Sequence, residues 1–260
     1  MSSTSEQTLR QTIVEIGRRM YAKGFVAAND GNISVRLDDK RILTTPTGVS
    51  KGYMEAEKMV LVDLRGKPLS EGHPSTELPL HLFIYRERSD IQAVVHAHPP
   101  FATGFATAGL ALDKCVLAEV IVTIGTIPLA AYGTPSTEEL PNTLKPYIHT
   151  CEAFLMANHG VVTVGRDLME AYFKMERVEH YAKIIFIARV LGGERVLPKE
   201  AVEKLYDLRE VYGEKSLNPG CYACYHECIG EACVNHDVKY NPQGQDYFGE
   251  IVEKVLAAVS

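Results

Sequence analysis

Apolar positions along the chain change their period several times, and each change marks an element. Between residues 5 and 23 they recur at three- and four-residue spacing, at Leu9, Ile13, Ile16 and Met20, which predicts an amphipathic helix ended by Gly24. The period then shortens to two. "ISVRL" and "RILTT" flank "DDK" and predict a β-hairpin, and "MVLVD" adds a third strand. "TELPLHLFIYRER" returns to a helical pattern, "IQAVVHAH" to a strand, and "FLMAN" and "VVTVG" predict two more strands on either side of "HG". Residues 167–191 predict a long helix, with Leu168, Ala171, Tyr172, Met175, Val178, Ala182 and Ile185 along one stripe. Helices and strands interleaved in this way imply an α/β sandwich, and the hairpins make its sheet mixed rather than purely parallel.

At 260 residues, with 46% hydrophobic and 23% charged residues, the chain can bury one sizeable core. Nothing resembling a linker interrupts it before its last fifth. The expected division is therefore a body over residues 1–217 and a cysteine-rich extension over 218–260, whose final "DYFGEIVEKVLAAV" reads as a helix docking back on the body. A net charge of −6 with no basic block argues against a nucleic-acid partner. No uninterrupted apolar run reaches membrane-spanning length and the N-terminus lacks a signal-peptide pattern, so a cytoplasmic location is expected, with no membrane partner.

Candidate chemistry changes the picture at "AVVHAHPP". In a strand, His96 and His98 point the same way, and the two prolines that follow place them at a strand end, near a surface cleft. His159, in "MANHGVV", sits at a tight turn between two short strands. Three imidazoles are the ligand set of a catalytic zinc with an open position, though each alone also reads as an ordinary surface or structural histidine. In "EGHPSTELPLH", Ser75 and Thr76 precede a helix starting near Glu77, either as plain N-caps or as a socket for a phosphate-sized anion. Glu77 is then either a helix-end stabiliser or a general base beside that socket. Asn32 in "DGNIS", and Thr47 and Gly48 in "TPTG", lie in turns that could form a nest for anionic oxygens. His81 follows Glu77 by four residues, on the same helical face, either orienting the carboxylate or packed in the core.

"GNIS", "TPTG", "PSTE", "VVHAHP" and "NHG", in this order and at these intervals, resemble the class II aldolase/adducin family, most of all its members that cleave L-fuculose 1-phosphate. The resemblance spans about residues 8–212. It implies a three-layer α/β/α sandwich around a mixed, largely antiparallel sheet. It also implies a homotetramer with active sites at subunit interfaces. His96, His98 and His159 correspond to the ligands of one catalytic Zn2+, Glu77 to the acid/base, and Asn32, Thr47, Gly48, Ser75 and Thr76 to the phosphate contacts. The family takes a tyrosine from a neighbouring subunit as acceptor for the C4 hydroxyl proton, and Tyr132, read as a tyrosine on a hydrophobic strand in "AYGT", is the candidate here.

The implied reaction is reversible cleavage of a ketose 1-phosphate to dihydroxyacetone phosphate and a small aldehyde such as L-lactaldehyde. Its electrons are held as an enediolate beside zinc. A pentulose-phosphate 4-epimerase, a dehydratase or a decarboxylase of the same superfamily is the alternative. An adducin-like binding module without metal is the rival from another class, disfavoured by the full histidine trio. Two features depart from the pattern. Asn29 and Asp30 stand where some of the aldolases carry a small residue or threonine. Cys221, Cys224, Cys228 and Cys233, with His226 and His236 interleaved, have no counterpart. A second metal or redox cluster, a disulfide-bridged lid and plain packing are three open readings of that group.

Overall fold

The structure, a computed structural model, describes residues 5–211. The first helix, α1 (Glu6–Ala22), is capped by the Ser5 hydroxyl, which accepts from Thr8 N at 3.1 Å, and it buries the expected stripe. The hairpin forms as β1 (Asn32–Arg36) and β2 (Arg41–Thr44), followed by β3 (Val60–Asp63), α2 (Leu78–Glu87) and β4 (Ala93–Ala97). The expected strands around His159 are β6 (Ala153–Met156) and β7 (Gly160–Gly165), and the long helix is α6 (Leu168–Val190), capped by Asp167. Between these lie short elements without a clear period: α3 (Pro100–Thr107), α4 (Ala118–Thr123), β5 (Leu129–Ala130) and α5 (Glu139–Thr143). Helix α7 (Lys199–Val211) closes the described chain.

The seven strands form one sheet in the order β3-β2-β1-β4-β7-β6-β5. Every pairing is antiparallel except that of β5 with β6, so the sheet is mixed and largely antiparallel, as expected. Alternation along the strands builds two separate cores. Ala93, Val95 and Ala97 of β4 face a core shared with α1, α3 and α6; Val94 faces the opposite core, shared with α2 and α5. The result is the three-layer α/β/α sandwich.

This register decides where the chemistry sits. Asn32 of β1 pairs with His96 of β4, and Ser34 with Val94, so these four side chains share the α2 face at the centre of the sheet. Tyr132 departs from its expectation: it follows β5 rather than lying in it, and it is 59% exposed. Because β5 and β6 run parallel, Tyr132 and His159 leave the sheet at the same end. Among the described residues no helix is long and apolar enough to cross a membrane. Cys221, Cys224, Cys228, Cys233 and the expected terminal helix lie outside the described residues.

Candidate active site

His96 is the penultimate residue of β4, fully buried, and its Nδ1–H donates to the Val161 carbonyl of β7 at 2.8 Å. That bond directs Nε2 out of the sheet. His98 lies just past the strand, with its Nε2 3.1 Å from His96 Nε2. His159 enters through the β6–β7 turn, where Asn158 adopts the left-handed conformation (φ 54°) that reverses the chain. The three ring centroids stand 4.8–5.2 Å apart. One nitrogen from each ring falls within 4.8 Å of the others. Gly160 makes this approach feasible, since a Cβ there would come within 2.5 Å of His98 Cδ2 and 2.6 Å of the Ala97 carbonyl. Three imidazole nitrogens converging from one side, with solvent access beside His98, fit a tetrahedral zinc that keeps a position open.

Glu77 occupies the N-cap position of α2 and turns its carboxylate toward these rings rather than onto its own helix. Its Oε1 lies 3.0 Å from His159 Nε2 and its Oε2 3.3 Å from His96 Nε2. Asn32 donates from Nδ2 to the same carboxylate at 2.7 Å. Burial favours the neutral acid, but the positive field of His96 and hydrogen bonds from His159 and His96 outweigh it, and Glu77 is held well below the usual carboxylate range. Burial, followed by the charges of His96 and His159, pushes His98 down to about 4. At neutral pH Glu77 is therefore ionised and His98 neutral. Asp30 Oδ2 sits 3.4 Å from His98 Nδ1, where a carboxylate could fix the orientation of that ring.

The turns expected to bind an anion are assembled by backbone contacts that no local pattern reveals. Thr47 N donates to the His73 carbonyl at 3.0 Å and Ser75 N to the Thr45 carbonyl at 3.1 Å, zipping "TPTG" against "PSTE". Ser75 Oγ accepts from Glu77 N at 3.3 Å, in the turn ahead of the helix whose N-cap is Glu77, so it does not cap α2, and Thr47, Gly48 and Thr76 are exposed beside it. Asn32 serves the carboxylate directly, and its Oδ1 is buried without a hydrogen-bond partner among the described residues. Beneath lies a network that helical spacing only half disclosed. His81 is buried, its Nδ1 2.7 Å from Ser34 Oγ, which also meets Tyr85 OH at 2.8 Å. Burial, with the charge of His96, pushes His81 down to about 3, so it is a neutral support under the site rather than a ligand. Lys51 was not legible as a site residue at all: its signal, a lysine following "TPTGVS", gains meaning only from its burial.

A three-layer sandwich carrying this histidine trio and its carboxylate belongs to a known class. Residues 11–186 match the family described as Class II Aldolase and Adducin N-terminal domain, and the chain is a member of it. It is 35% identical over 199 residues to the 3-oxo-tetronate 4-phosphate decarboxylase of Pectobacterium atrosepticum, covering 75% of this chain and 90% of the relative. It is 34% identical over 174 residues to the L-fuculose phosphate aldolase of Methanococcus maripaludis, covering 67% and 94%. A solved structure of an L-fuculose 1-phosphate aldolase superposes with a TM-score of 0.73 at 28% identity, covering 81% of this chain and all of that one. Decarboxylases and aldolases are both carbon–carbon lyases, and the chain is an enzyme of that lyase class.

Proposed function

We propose that this protein is a zinc-dependent aldolase that reversibly cleaves a ketose 1-phosphate, L-fuculose 1-phosphate or a close relative, to dihydroxyacetone phosphate and a small aldehyde such as L-lactaldehyde. The observation that carries this reading is the Glu77 carboxylate, ionised and within 3.3 Å of two nitrogens of the histidine trio, at the mouth of the zipped turns. Breaking the C3–C4 bond leaves an electron pair at C3, conjugated with the C2 carbonyl. His96, His98 and His159 would hold the zinc, which when bound would supply the positive charge that stabilises those electrons. Glu77 delivers the proton to C3 in cleavage and removes it in condensation, while Asn32 holds the carboxylate in position. Ser75, Thr76, Thr47 and Gly48 bind the phosphate and so fix C3 against the carboxylate. Tyr132 of a neighbouring subunit takes the C4 hydroxyl proton, in a cytoplasmic homotetramer.

The identity to a 3-oxo-tetronate 4-phosphate decarboxylase favours a second reading. Loss of carbon dioxide from such a substrate breaks the bond to C1 and leaves the electron pair next to the ketone. The product of that step is the enediolate of dihydroxyacetone phosphate, the same species that aldol cleavage forms. Glu77 and the phosphate turns would serve both reactions, which differ only in what leaves.

The test begins with this shared half. In deuterated water the zinc-loaded protein should exchange one stereospecific C3 hydrogen of dihydroxyacetone phosphate with no aldehyde present. Glu77→Gln should slow exchange by about two to four orders of magnitude, the usual worth of general acid–base catalysis, with zinc content retained. A product assay then divides the readings: aldehyde from ketose 1-phosphates supports the aldolase, and carbon dioxide from 3-oxo-tetronate 4-phosphate the decarboxylase. Inversion of a pentulose 5-phosphate without exchange would overturn both in favour of an epimerase, and inertness toward all of these would leave a binding module.

A further inference from the structure

Lys51 combines properties that a surface lysine lacks. It is 2% exposed, and its Nζ donates to the Asn29 carbonyl at 2.9 Å and to the Val49 carbonyl at 2.6 Å. An ammonium has three donors, so one is uncommitted. Asp30 and Glu77 act on it through space, and neither is hydrogen-bonded to it. The turn that carries it cannot swing outward, because α1 is pressed against it. A Cβ on Gly17 would come within 2.5 Å of the Lys51 carbonyl, and one on Gly52 within 2.6 Å of the Tyr21 ring. A buried cation is costly unless an anion compensates it, and the two carbonyls supply only partial charge.

The two segments that this ammonium ties together are those that carry candidate phosphate donors: the turn before Asn32, and the turn holding Thr47 and Gly48. A cleft of about 580 Å³ opens between them, lined by Tyr21, Ala28, Asn29, Gly48, Ser50 and Tyr53. Ser50 Oγ is buried with no hydrogen-bond partner. A cation behind the wall of an open cleft, beside an unused hydroxyl, is an arrangement completed by an anion from outside.

Resting on the phosphate site proposed above, we infer that Lys51 is the buried counter-charge of that site, clamping its two turns together and attracting the substrate phosphate from behind. It is a positioning residue, with no contact to the reacting carbons. Burial, partly offset by the charges of Asp30 and Glu77, pushes the amine down to about 8. Because the protonated form is the one that attracts an anion, this contribution is present below about pH 8 and lost above it.

The test is calorimetric titration of the full zinc-loaded chain with inorganic phosphate, 2-phosphoglycolate and glycolate. Wild type is compared with Lys51→Met, Lys51→Arg and the double variant Ser75→Ala/Thr76→Ala between about pH 7 and 10, a span that brackets the amine. Lys51→Met should weaken both phosphorylated probes by about 10- to 100-fold, the scale of one close charge contact, and leave glycolate unchanged. In wild type, phosphate affinity should fall above about pH 8, approaching tenfold per pH unit, and Lys51→Arg should abolish that fall. A lysine serving only as a backbone staple would not produce the pH profile. If Lys51→Met does not fold, the wild-type and Lys51→Arg profiles decide alone. A flat wild-type profile, or one that Lys51→Arg shares, overturns the inference. Weakening by the double variant but not by Lys51→Met overturns it while the phosphate site stands. Unchanged phosphate affinity in both variants overturns the phosphate site itself.

Discussion

His96 shows how much one residue's surroundings decide. Its Nδ1 is committed to Val161 and its ring is fully buried, so Nε2 is left to face Glu77, His98 Nε2 and the zinc proposed between the rings. His96→Ala or His159→Ala should therefore abolish zinc binding, and activity with it, while the chain stays folded. Metal content by mass spectrometry and a circular-dichroism melt check this together. Chelation of the wild type should mimic both variants and be reversed by added zinc. Full activity in metal-free protein would remove zinc from the mechanism. The three histidines could be picked out from "HAHPP" and "NHG" because the chain has only nine histidines, and Glu77 because in "PSTE" it follows a hydroxyl pair at a helix start. Lys51 could not, because a lysine after a turn is ordinary until the fold buries it.

The α6 helix separates stability from function at the scale of elements. Asp167 caps it by accepting from Glu170 N at 2.8 Å, and it lies beyond the far end of β7 from His159. Asp167→Ala should cost about 1 kcal/mol, the typical worth of such a cap, and lower Tm by about 2–4 °C at this chain length, with zinc affinity unchanged. Gly160→Ala should cost zinc affinity as well as stability. The added methyl meets His98 and the Ala97 carbonyl, so zinc affinity should fall more than the melting temperature does. Equal effects of the two substitutions on zinc affinity would contradict this division. The long periodic helices and the alternating strands were readable because each repeats its pattern over many residues. The short elements α3, α4, β5 and α5 were not, because they run for only two to eight residues.

At the scale of the whole molecule, Phe173, Phe186, Ile187 and Val190 of α6, with Leu191 just past its end, are exposed apolar residues. The proposed tetramer gives such a face a partner and brings Tyr132 into a neighbour's site. Sedimentation should find four copies together. Tyr132→Phe should lower the rate of cleavage while leaving zinc content and the deuterium exchange of dihydroxyacetone phosphate near wild type, since exchange needs no acceptor at C4. A monomer of full activity would remove both the assembly and this role for Tyr132.

The sequence by itself determined the elements with long hydrophobic periods, the mixed sheet and the residue types for metal and proton chemistry, because periodicity and turn composition are local properties of a chain. Only the tertiary structure decided how those residues meet. The pairing of Asn32 with His96 across β1 and β4 joins residues 64 apart in the chain, and no local rule fixes that register. The zipping of "TPTG" to "PSTE" and the committed Nδ1 of His96 likewise depend on backbone groups, which every residue carries alike. Burial made Lys51 a charge in need of a partner, and burial is a property of the packed whole.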